Sequence, residues 1–174
     1  PPKFDTEYPT VTIQIPIYKE NLETVIKPTM ESILKCKNYY SSNDDYKINI
    51  NIIVCDDGLQ LLEVDQAEER IEYYVNNSIG YISRPINNRA GKFKKASNLN
   101  FGVVISSIFL KMLNDTTSEC AIVSDEELSE TCSNLEELLN EVKCTAILGG
   151  DLRIGDYILL LDSDTRIPSD CLHD

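Results

Sequence analysis

Residues 47–55 read Lys-Ile-Asn-Ile-Asn-Ile-Ile-Val-Cys, and the apolar side chains at 52, 53 and 54 follow one another without a polar break. A strand with one wet face alternates; a nearly continuous β-branched run suits a strand buried on both faces, as in a parallel sheet between helix layers. That requirement constrains the rest of the chain, because parallel neighbours are reached only through crossovers, usually helical. The flanking sequence supplies them.

Residues 10–16 (Thr-Val-Thr-Ile-Gln-Ile-Pro) alternate and end at a proline, which reads as a first strand. Asn21 is a reasonable N-cap, and Leu22, Val25, Ile26, Met30, Ile33 and Leu34 then share a helical face. Pro28 predicts a kink in that helix, or a restart with the proline in a first turn. A polar turn, with Ser41, Ser42, Asn43, Asp44 and Asp45, leads into the 47–55 strand. Val64, Ala67, Ile71, Tyr74 and Val75 mark a second helix, and Ile79–Ser83 a short third strand. A long helix is expected from about Gly91 to Leu113, with Phe93, Phe101, Val104 and Ile108 along one side. The last strand, Tyr157-Ile158-Leu159-Leu160-Leu161, is expected to enter the core through its leucines before Asp162-Ser163-Asp164. This alternation implies an α/β fold: an open, mainly parallel sheet with helices on both faces and right-handed crossovers. The 174 residues fit one domain, 1–174.

Charge narrows the partners. Sixteen Lys and Arg against 29 Asp and Glu give a net charge of −13, the wrong sign for a nucleic-acid-coating protein. A phosphate-bearing ligand therefore needs a local cationic cradle or a metal ion. Residues 114–150 carry nine acids and one base, a net −8 of that total, and read as a solvated acidic insertion. Ser133-Asn134-Leu135-Glu136 fits a capping box opening a short helix there. No apolar stretch reads as long enough to cross a bilayer, which takes about 20 residues. Six cysteines without a CxxC pair, and His173 as the one histidine, argue against a zinc site. Reduced thiols are expected, with Cys55 a core residue.

Ligands of open parallel sheets gather outside the carboxyl ends of the strands, where strand order reverses. Tyr18 and Glu20 follow the first strand, Asp56 and Asp57 the second, Arg84 the third, and Asp162 and Asp164 the fourth. Any one of these acids is also an ordinary turn residue. The signal lies in four ends converging. Asp162 and Asp164 at i and i+2 offer hard oxygen ligands suited to Mg²⁺ or Mn²⁺. Gly91-Lys92 is no Walker motif, since position 86 is Ile86 where a glycine is required, and no GxGxxG occurs. A phosphatase-type D-x-D-x-T/V motif fails as well, because position 166 holds Arg166.

Four stretches occur in a telling order: Ile15-Pro16-Ile17-Tyr18-Lys19-Glu20, Asp56-Asp57-Gly58, Arg89-Ala90-Gly91-Lys92 with Lys95-Ala96-Ser97-Asn98-Leu99-Asn100, and Leu161-Asp162-Ser163-Asp164-Thr165. The series resembles the donor-binding half of family-two GT-A glycosyltransferases, most of all the fungal and cellulose-, chitin- or hyaluronan-synthase-like membrane enzymes. The likeness spans residues 10–168, the acidic insertion excepted. It implies a Rossmann-like nucleotide-binding half in which Pro16, Tyr18 and Glu20 border base and ribose. Asp57, or its neighbour Asp56, would accept a hydrogen bond from uracil; Arg84, from its place after the third strand rather than from the resemblance, is expected at the same nucleotide-sugar site. Lys92 or Lys95 would approach the diphosphate from the start of the helix, with Gly91 at the same nucleotide-sugar site. Asp162 would contact ribose or metal, and Asp164 would be the more direct ligand of Mg²⁺ or Mn²⁺.

In that family the catalytic base lies beyond the D-x-D, and synthases carry a Q-x-x-R-W motif. The chain given stops at Asp174 and has no Trp. The expectation is thus a truncated UDP-sugar- and metal-binding part of an inverting glycosyltransferase, with base, glycan-acceptor half and membrane helices lying elsewhere. The parent would be membrane-embedded with this domain on the cytosolic side. The last strand would be left with an unprotected edge. Two alternatives stand beside it: a non-catalytic interaction module docking through 114–150, and a metal-dependent phosphohydrolase.

Overall fold

The computed structural model describes residues 8–42, 48–87, 94–116 and 123–172. Its five strands are β1 (Val11–Ile17), β2 (Ile50–Asp56), β3 (Gly80–Ser83), β4 (Ile147–Gly149) and β5 (Tyr157–Leu160). Four helices accompany them: α1 (Lys27–Ser41), α2 (Val64–Asn76), α3 (Lys94–Thr116) and α4 (Asp125–Glu141). The strands form one sheet in the order β4-β3-β2-β1-β5, parallel except for β4, which runs antiparallel to β3. The fold is α/β with a mixed, mostly parallel sheet.

Strand pleating divides the core in two. From β2, Ile52 and Val54 join Ile13, Ile15 and Ile17 of β1 against Met30, Ile33 and Tyr40 of α1 and Tyr74 of α2. Ile53, on the other face, joins Ile82, then Ile105 and Phe109 of α3 and Leu135 of α4. That is why 52–54 has no polar position: β2 has β1 and β3 at its sides and helices above and below. At Gly102 a Cβ would stand 2.5 Å from Cys55 Sγ, so glycine lets α3 lie close on the sheet.

Several local expectations change. Asn21 does cap, its Oδ1 accepting the Thr24 amide at 2.9 Å, but a π-helical turn, Leu22–Ile26, precedes α1 and Pro28 sits in the first turn of α1. The proline thus marks a restart rather than a mid-helix kink. In α3 the buried line is Asn98, Gly102, Ile105, Phe109 and Leu113, while Val104 faces solvent. By length and composition α3 alone among the described helices could cross a bilayer. Within the domain its apolar line is a core face against the sheet.

The acidic stretch supplies structure. Its capping box is Ser124 with Glu127, not Ser133 with Glu136, and α4 runs on through Ser133. Leu128, Leu135 and Leu139 are buried while the acids of its first turn face outward. The β5 leucines depart furthest from expectation: Leu160 is 55% exposed, and Tyr157 and Ile158 are exposed too. Among the described strands β5 pairs with β1 alone, so it is an edge. Only Leu159 and Leu161, on the α1 face, pack against the core.

Candidate functional site

Crossovers from β1 lead to β2 on one side, and the chain returns to β5 on the other, so strand order reverses at β1. The carboxyl ends of the parallel strands meet above this point. A cavity of about 220 Å³ opens there, lined by Pro16, Ile17, Tyr18, Glu20, Asp57, Arg84, Lys94, Lys95 and Asn98. Six of these nine, Pro16, Tyr18, Glu20, Asp57, Arg84 and Lys95, are expected from sequence; Ile17, Lys94 and Asn98 are not.

The two carboxylates ending β2 part company. Asp56 points toward α2, where Arg70 Nη1 donates to Oδ2 at 2.9 Å and to Oδ1 at 3.1 Å. Tyr74 OH and the Gly58 amide each add a donor at 2.8 Å. Burial pushes the Asp56 carboxyl up from its ordinary value, against the downward pull of Arg70, Tyr74 and Gly58. Arg70 also donates to the carbonyl oxygens of Tyr18 and Glu20. One buried guanidinium therefore ties the loop after β1 to the end of β2. Gly58 belongs to the same junction, since a Cβ there would collide with the Tyr18 carbonyl.

Asp57 turns the other way and lines the cavity. Arg84 Nε donates to its Oδ1 at 3.0 Å and Nη2 to its Oδ2 at 2.5 Å, and Nη2 reaches the Lys94 carbonyl at 3.2 Å. This bidentate pair fixes both side chains at the cavity wall. Asn98 donates from Nδ2 to the Cys55 carbonyl at 2.6 Å, which anchors the start of α3 on the end of β2.

The Asp162-Ser163-Asp164 turn stands at the rim. Lys95 Nζ lies 2.6 Å from Asp162 Oδ1, with the two side chains 56% and 58% exposed. Such a pair is worth little to stability, about 0–1 kcal/mol. Ser163 Oγ donates to Glu20 Oε1 at 3.3 Å, while Glu20 Oε2 accepts the Tyr18 amide at 2.6 Å. Asp162 is thus tied to the cavity wall through Lys95 without lining the cavity, and Asp164, two residues on, is exposed and does not line it either. Gly91 and Lys92 lie outside the described residues. No group of three or more His, Cys, Asp or Glu side chains gathers among the described residues. The set therefore suits a hard cation only if phosphate oxygens and water complete its shell, as Mg²⁺ usually requires.

A second cavity, about 230 Å³, opens at the amino ends of the strands beside Thr10, Thr12, Lys37, Asn51, Asp151 and Arg153. It holds none of the strand-end residues, and Arg153 is already paired with Asp151 at 2.6 Å. The carboxyl-end cavity is the better site. Arg70 is the one residue of its support that sequence periodicity could have shown: it lies between Ala67 and Tyr74 on the buried stripe of α2. An arginine there needs a buried partner. No protein-family profile, curated protein or solved structure matches this chain.

Proposed function

We propose that the chain is the donor-binding part of an inverting, metal-dependent glycosyltransferase that takes a UDP-sugar, of the GT-A, polysaccharide-synthase-like kind. The observation that carries this reading is the common cavity: residues from separate stretches, Pro16, Tyr18 and Glu20, Asp57, Arg84 and Lys95, meet at the carboxyl end of the sheet. At about 220 Å³ the cavity is smaller than the usual 300–1,000 Å³ ligand pocket, a size for part of a ligand such as the nucleoside. The diphosphate and sugar would then extend past Lys95 toward Asp162 and Asp164.

In this reading Asp57, oriented by Arg84, accepts a uracil N–H. Lys94 and Lys95 attract the diphosphate in a chain whose overall field repels it. Asp162 and Asp164 would hold Mg²⁺ or Mn²⁺, which supplies positive charge to the departing UDP. Asp56 acts at one remove, keeping Arg70 in place and with it the Tyr18–Glu20 loop. Catalytic base, glycan acceptor site and membrane segments belong to the parent enzyme, with this domain on the cytosolic side. The phosphohydrolase alternative has less support, since Asp162 is an exposed residue paired with Lys95 rather than a sequestered nucleophile.

Calorimetric titration with UDP, with and without Mn²⁺, tests the reading. It expects heat that depends on the metal and is lost in Asp164→Ala. Absence of metal-dependent heat, or heat indifferent to that substitution, would count against it.

A further inference from the structure

After β5 the chain runs back along α1, and α1 receives it with one stripe of side chains. Thr29 donates its hydroxyl to the Ser163 carbonyl at 2.8 Å, Ser32 Oγ accepts the Ile167 amide at 3.2 Å, and Tyr40 OH accepts the Leu172 amide at 2.9 Å. Positions 29, 32, 36 and 40 follow the three- and four-residue spacing of a single helix face. Cys36 fills the remaining place. Its Sγ lies 3.5 Å from Cys171 Sγ, and both thiols are free, Cys36 buried and Cys171 partly exposed. Other thiols are occupied differently: Cys55 Sγ accepts from Gln14 Nε2, and Cys132 donates to the Gly150 carbonyl.

We propose that Cys36 and Cys171 are a modification site, forming a reversible intramolecular disulfide when the chain meets a small disulfide of the glutathione class. The bond staples the segment carrying Asp162 and Asp164 to α1. It does not rest on the proposed function. The sulfurs need approach only to about 2.05 Å, and the partner with room to move is Cys171.

The exchange balances in two steps. Cys171, as thiolate, attacks one sulfur of the reagent and forms a mixed disulfide, releasing one reagent thiolate. Cys36 then loses its proton to solvent and attacks the Cys171 sulfur, releasing the second reagent thiolate. Two protein thiols are oxidised to one disulfide, and one reagent disulfide is reduced to two thiols. Burial, and after it the hydrogen bond to Cys171, pushes the Cys36 thiol up to about 12. That keeps it from attacking first and makes it the resolving partner. A bridge across so long a stretch of chain constrains the unfolded state strongly.

The test treats the whole folded chain with excess oxidised glutathione, then combines thiol titration, intact mass, peptide mapping and amide hydrogen exchange. The expected result is loss of two of the six thiols and a 36–171 crosslink. The melting temperature should rise by roughly 5–15 °C. Exchange should slow over residues 163–172, and a reducing dithiol should reverse all of it. Cys171→Ser, a near-isosteric change at a partly exposed position, should abolish the crosslink, as should Cys36→Ala. Unchanged thiols, a lasting glutathione adduct on Cys171, a bridge between any other pair, or a crosslink without slower exchange at 163–172 would each overturn the proposal.

Discussion

Asp56 and Asp57 are neighbours at the end of one strand, each paired with an arginine, and they border different parts of the molecule. The Asp56–Arg70 pair is 0% and 4% exposed and faces α2, where Tyr74 and the loop after β1 close it off. The Asp57–Arg84 pair is nearly as buried, at 6% and 5%, yet it forms the wall of a cavity. Successive residues of an extended chain point to opposite sides, so adjacency itself turns one carboxylate to α2 and the other to the cavity. Low exposure alone does not identify a structural residue; what the side chain borders does.

Substitutions can break this contrast. Arg70→Met leaves Asp56 buried without its ion partner and releases the Tyr18 and Glu20 carbonyls. We expect about 3–5 kcal/mol loss of unfolding free energy in urea; a loss under about 1 kcal/mol would refute the anchor role. Asp57→Asn should cost less, about 1–3 kcal/mol, because water in the cavity reaches Arg84. The same variant should nearly abolish UDP binding. Lys95→Ala sharpens the opposite pole: unfolding free energy within about 0.5 kcal/mol of the parent, but UDP affinity down roughly tenfold or more in calorimetry.

A third aspartate gives the smallest effect. The Thr10 amide and then its hydroxyl hold the exposed Asp156 carboxyl below the ordinary value. A lowered folded-state pKa stabilises above the unfolded value of about 3.9 and is lost as pH falls through the folded one. Asp156→Asn should therefore lower stability slightly near neutrality, a deficit that fades as pH falls through the folded-state value, so that the acid limb of stability against pH is slightly flatter.

Much of the sheet is legible in the sequence because its signal is local. The β-branched runs at 11–17 and 50–56 and the turn residues after them suffice for β1, β2 and their carboxyl ends. β4 is too short, at three residues, to announce itself. Ser124 and Ser133 both begin a Ser-x-x-Glu pattern, and only packing of Leu128 beneath the first turn favours the earlier one. The β5 leucines mislead because composition cannot tell a central strand from an edge. At the site, the strand ends that line the cavity follow from chain order and pleat. The pleat puts Asp56 and Asp57 on opposite sides, but which arginine meets each does not follow from it, since Arg70 and Arg84 lie 14 and 27 residues further along.

The central claim is that the carboxyl-end cavity receives a nucleoside diphosphate. Amide chemical-shift mapping during a UDP titration tests it most directly, because two cavities of similar volume lie at opposite ends of the same sheet. The account predicts perturbations at Ile17, Tyr18, Glu20, Asp57, Arg84 and Lys95. Shifts confined to Thr12, Asn51 and Arg153, or none at saturating UDP and Mn²⁺, would contradict it.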